Sequence, residues 1–161
     1  MAARDILFIV VILFSFGVGF FAIHYMMNTT VDTMLGTTAI NTSNATVTAL
    51  ETVKTTADRM DYILFGLFIG LVLSIIVTSW FIGGHPIFMF AYFVIATIAI
   101  ILATIFANVW DDISNMVIFG TTLVHFPLTN HILVNLPLYI GIIAFIGMVT
   151  MFAKPYVAGE Q

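Results

Sequence analysis

The feature that most constrains this chain is the spacing of its charges. No Asp, Glu, Lys or Arg occurs between Asp5 and Asp32, between Asp61 and Asp111, or between Asp112 and Lys154. Only four basic and eight acidic side chains are spread over 161 residues, whereas a water-soluble domain carries about a quarter charged residues. With 61% of residues apolar, a soluble globular class is excluded and the lipid bilayer is the expected solvent. Four cations cannot build a phosphate-neutralising stripe, so no nucleic-acid partner is expected. Cysteine is absent, which removes disulfides, thiolate metal sites and cysteine nucleophiles together.

The uncharged stretches divide into an expected all-α membrane protein of about four transmembrane helices, forming one integral membrane domain over 1–161. Residues 6–27, at about 1.5 Å each, cover about 33 Å, enough for a hydrocarbon core of about 30 Å. A signal peptide is the competing reading of this segment, but the apolar run is too long and no A-x-A site follows. It is therefore expected to be retained as an anchor. The second stretch holds two spans, 62–82 and 86–108, turning at Gly83-Gly84-His85-Pro86 and expected to form an antiparallel hairpin. The fourth span is expected at 136–153, where Asn135 can cap and Pro137 can occupy the first turn. Residues 109–135 carry threonines, histidines, asparagines and Pro127, and are expected to be interfacial or re-entrant, because irregular polar backbone needs partners in lipid. Tyr25, Tyr62, Trp80, Trp110, Tyr139 and Tyr156 fall near the span ends, where amphipathic rings settle. Arg4 and Lys154 place both termini on the cytoplasmic side at insertion; Lys54 and Arg59 oppose this, although Glu51, Asp58 and Asp61 surround them.

Residues 28–61 form a polar projection between the first two spans. Val47, Leu50, Val53, Ala57 and Met60 recur at helical spacing and run into the second span without a breaker, predicting one long helix over 46–82. Val31, Met34 and Leu35 extend the first helix as its partner, so an extramembrane helical hairpin turning near Asn41 to Asn44 is expected. The same region holds three Asn-x-Ser/Thr sequons, at Asn28, Asn41 and Asn44, which are candidate glycosylation sites on the non-cytoplasmic side.

Small residues repeat at four-residue spacing inside the spans: Ser15 and Gly19, then Gly66, Gly70 and Ser74, then Ala99, Ala103 and Ala107. Such faces let helix backbones approach closely in lipid, and packing of the protein's own spans is favoured over association between chains. Trp110, Asp111, Asp112, His125 and His131 are candidate partner contacts in the 109–135 segment. The last four carry ligand types that suit a divalent metal, but His125 and His131 are six apart and do not share a helical face. Hydrogen bonding at the interface is expected of them, with no metal and no cofactor. No phosphate loop, nucleophile elbow, His-Glu-x-x-His motif or pair of carboxylates inside a span is present, and an enzyme is not expected. Ion transporters carry ionisable residues at membrane depth; none of the charges here falls within a proposed span.

The run His125-Phe-Pro-Leu-Thr-Asn-His-Ile-Leu-Val-Asn-Leu-Pro-Leu-Tyr139, the following apolar span ending Phe-Ala-Lys-Pro155, and the segment Gly-Gly-His-Pro-Ile-Phe-Met-Phe at 83–90 resemble small hydrophobic virion membrane proteins of tailless, membrane-containing icosahedral phages. The resemblance implies a non-enzymatic structural protein of a viral internal membrane, with itself, other membrane proteins or capsid proteins as partners. Two other classes remain open on the residues: a channel or holin-like pore-forming oligomer, and an accessory subunit of a cellular membrane complex.

Overall fold

The described residues of the computed structural model are 2–81 and 86–158, without the side chains of 2–4, 39, 41, 86–88 and 152–158. The glycines of the expected turn at 83–86 and His85 lie outside them. Every regular element among them is helical: α1 (Ala2–Leu35), α2 (Thr38–Asn41), α3 (Asn44–Ala57), α4 (Met60–Phe81), α5 (Pro86–Ser114), a 3-10 turn (Val117–Phe119), α6 (Gly120–Leu123), α7 (Pro127–Val134) and α8 (Leu136–Ala158). Long uncharged apolar stretches must satisfy their backbone internally wherever water is excluded, and helices do so within each segment.

Three helical segments are long and apolar enough to cross a membrane: Asp5–Leu35, Asn44–Phe81 and Met89–Ser114. A pair of short helices, Val117–Leu123 and Pro127–Val134, is bent by 115° and makes a fourth if counted as one span. The described apolar part of α8, Leu136–Met151, is shorter, covering about 24 Å at about 1.5 Å per residue.

The helices α1, α5, α8 and α4 pack in a ring, each against the next, and α4 closes it against α1. Consecutive α4 and α5, expected as an antiparallel hairpin, are therefore not a packed pair among the described residues; α1 and α8 separate them. A short connection fixes only which ends are near, whereas side-chain size decides which faces meet. On α5, Tyr92, Ala96, Ala99, Ala103, Ala107 and Trp110 are buried, one face at spacings of three and four. The alanines on it admit α1 and α8 closely, and Phe14 of α1 stacks on Phe106 with ring centroids 4.3 Å apart. Two glycines that the four-residue spacing did not single out also sit at close approaches. A Cβ on Gly17 would strike Leu133, and one on Gly147 would strike the Tyr92 hydroxyl.

The other small residues lie differently. Gly66, Gly70 and Ser74 are exposed on the outer surface of α4, and neither glycine has a neighbour within 4 Å of where a Cβ would stand. Ser15 is exposed, and Gly19 is likewise open.

Beyond the ring, α1 continues to Leu35 and α3 packs back along it, after α2 and the turns around it. Ser43 caps α3, accepting from the Thr46 N–H at 3.5 Å. Lys54 Nζ reaches Asp32 Oδ1 at 2.8 Å, tying the two helices on their exposed side. The long helix expected over 46–82 is present as one segment, Asn44–Phe81, with a local turn at Asp58 and Arg59 that divides it into α3 and α4. At that turn the Asp58 carboxylate meets His24 of α1, and the Asp61 carboxylate meets the start of α7.

Candidate functional site

The polar side chains converge where three elements meet: α1 at His24 and Asn28, the α3–α4 junction at Asp58 and Asp61, and the α6–α7 corner at His125 and Thr129. His24 and Asn28 are one helical turn apart and so share a face of α1. That face is apolar elsewhere: Phe21 packs edge-on against Trp110 and Phe126, and His24 itself lies edge-on to Phe126. The imidazole of His24 is 0% exposed. A buried polar ring needs hydrogen-bond partners, and His24 Nε2 finds Asp58 Oδ1 at 2.9 Å.

The same carboxylate oxygen lies 3.1 Å from Nδ1 of His125. With protons on those nitrogens, Asp58 Oδ1 accepts two imidazole N–H groups, one from the core and one from the surface. The rings lie 5.0 Å apart, centroid to centroid. Asn28 Nδ2 stands 3.4 Å from His24 Nδ1 and 3.3 Å from Nε2, while Asn28 Oδ1 is buried with no hydrogen-bond partner. Among the described residues, His24, Asp58 and His125 form a group of possible metal ligands whose ligand atoms all lie within 4.8 Å of one another.

Asp61 sits beside this cluster and does a different job. It is 2% exposed; Oδ2 accepts from the Leu128 N–H at 3.1 Å, and Oδ1 accepts from the Thr129 N–H at 2.8 Å and the Thr129 hydroxyl at 2.6 Å. Helix α7 starts at Pro127, so Leu128 and Thr129 carry first-turn N–H groups with no partner inside the helix. Asp61 caps α7 from another element, placing a negative charge at the positive end of its dipole.

Of the candidate contacts read from the sequence, Trp110 is corrected. It is fully buried and donates from Nε1 to Asn130 Oδ1 at 2.9 Å, because the face of α5 it occupies is the one turned to α1 and α7. It is a core anchor with no surface left for a partner. Asp111 and Asp112 are exposed in the last turn of α5, with Asp111 Oδ1 accepting from Asn115 Nδ2 at 3.0 Å. His131 is exposed, its ring 6.2 Å from that of Tyr139. The set His125, His131, Asp111 and Asp112 is not assembled; His125 joins His24 and Asp58 instead. Of the sequon asparagines, Asn28 is engaged with His24, Asn44 is exposed at the start of α3, and the side chain of Asn41 lies outside the described residues. Sequence reasoning missed His24, Asp58 and Asp61 as a group. The one available signal was the His24/Asn28 spacing, since Asp58 and His125 are distant in the chain. Comparison with family models, with curated proteins and with solved structures finds no match.

Proposed function

We propose that this chain is a non-enzymatic integral membrane protein of four spans, with the α1–α3 hairpin projecting from the bilayer, that acts structurally by assembling with copies of itself or with partner subunits. The observation that carries assembly is the outward strip of Gly66, Gly70 and Ser74 on α4, which the chain's own helices leave open. In lipid, helices associate by close van der Waals contact along such strips. Further support comes from the projection, where a groove of about 280 Å³ is lined by Met26, Met34, Leu50 and Val53 among others. Apolar surface on a segment otherwise rich in threonine and asparagine is a place for a protein partner. Asp61 supports a structural reading over a transport one, because both of its oxygens are used to cap a helix.

The membrane proposed is a viral internal membrane, on the resemblance carried by residues 125–139 and 83–90, with both termini on the cytoplasmic side at insertion. Cross-linking mass spectrometry in the native membrane tests the reading by naming the neighbours of α4 and of the projection. Gly66→Ile and Gly70→Ile are expected to abolish the α4 cross-links while leaving the monomer folded. A monodisperse monomer with no co-purifying neighbour would overturn assembly, and dye leakage from vesicles carrying the purified chain would point to a pore instead.

A further inference from the structure

We propose that His24, Asp58 and His125 form a binding site for one divalent transition-metal ion of the zinc class. Two imidazoles and a carboxylate are the donor set that such borderline ions take, whereas magnesium and calcium prefer all-oxygen cages. In a tetrahedral site with bonds of about 2.0–2.1 Å, neighbouring donor atoms stand about 3.3 Å apart. The separations of 2.9 Å from His24 Nε2 to Asp58 Oδ1 and 3.1 Å from His125 Nδ1 to the same oxygen require the ligands to open by only a few tenths of an ångström. All three donor atoms lie within 4.8 Å of one another, and the two imidazole nitrogens close toward the same spacing when an ion binds.

A second observation points to the same ligand. Asn28 Oδ1 is buried and unpartnered, an arrangement that costs free energy in an apolar setting. The Asn28 amide stands over the same ring, its Nδ2 3.4 Å from His24 Nδ1 and 3.3 Å from Nε2. The fourth position is open to that oxygen, after rotation of the Asn28 side chain, or to water. Access is present as well. His24 closes the inner side of the site, while Asp58 and His125 keep 37% and 41% of their side chains exposed, leaving an entry path from solvent.

The ligands come from α1, the α3–α4 junction and the α6–α7 corner, so a bound ion would staple the base of the projection to the ring. Binding only to the folded form also stabilises it by mass action. This inference is independent of the assembly proposed above, and its failure would leave that reading untouched.

The test uses the full chain, purified in detergent through a tag without histidine, stripped with chelator and titrated with Co²⁺ and then Zn²⁺. The expected result is one equivalent of Co²⁺ with a visible d–d band, displaced by Zn²⁺, and a raised thermal midpoint in Zn²⁺. His125→Ala and Asp58→Asn alter partly exposed groups, and circular dichroism of each shows that it is folded. Each is expected to weaken binding by about 100-fold or more, the effect being larger than that of losing an outer-shell partner. His131→Ala and His85→Ala are expected to bind like the parent. No uptake by the parent at micromolar metal would overturn the site, as would equal losses in His131→Ala and His125→Ala. In that case the three side chains are a hydrogen-bonded triad and nothing more.

Discussion

Asp61 shows how a single charged residue is accommodated at the edge of an apolar bundle. A buried carboxylate is expensive unless charge-assisted hydrogen bonds compensate it, and here two backbone N–H groups and a hydroxyl do so. From the sequence, Asp61 reads as a flanking charge that marks the start of a span. Its capping role was illegible because α7 lies 67 residues along the chain. Asp61→Ala leaves those donors buried without an acceptor and is expected to destabilise the protein by about 3 kcal/mol. Asp61→Asn keeps one acceptor oxygen for Thr129 but turns an amide N–H toward that of Leu128, for an expected loss of about 1–2 kcal/mol. Reversible unfolding in detergent measures both. An alanine variant within about 0.5 kcal/mol of the parent, the range of an ordinary surface change, would show that the cap is dispensable.

At the scale of the element, α3 is the segment whose stability is least its own. Thr48, Thr52, Thr55 and Thr56 donate to carbonyls one turn back, a pattern that competes with regular helix and accompanies a weak helix former. Ala57 is its buried residue among those described, so packing adds little away from the α4 junction, and the Lys54–Asp32 pair is solvent-exposed. Exposed pairs contribute about 0.2–1 kcal/mol. Hydrogen exchange is therefore expected to open residues 44–54 well before the amides of α5, with Lys54→Ala quickening that opening only slightly. Protection of α3 equal to that of α5 would mean that something else holds it, and the groove beside Met34 and Val53 would be the place to look. The stripe from Val47 to Met60 made this helix legible in the sequence. The turn at Asp58 and Arg59 was not, because no glycine or proline marks it.

At the scale of the whole molecule, the charge gaps account for long apolar helices of a length that could cross a membrane, and the ring of α1, α5, α8 and α4 accounts for which faces meet. Sidedness can be read directly because the chain has no cysteine. Gly36→Cys and Gly84→Cys in sealed vesicles are expected to react with an impermeant maleimide from opposite sides, and labelling of both from one side would refute the four-span arrangement. By itself the sequence determined that the chain is helical, with helices long and apolar enough to cross a membrane, since uncharged apolar runs have one low-energy state in lipid and local spacing reports it. Only the tertiary structure decided that α4 and α5 are not a packed pair among the described residues, that Trp110 is core, that Gly66 and Gly70 face outward, and that His24, Asp58 and His125 meet. Each of these depends on which distant faces come together. Composition and periodicity describe a helix one turn at a time and carry no record of what lies across from it.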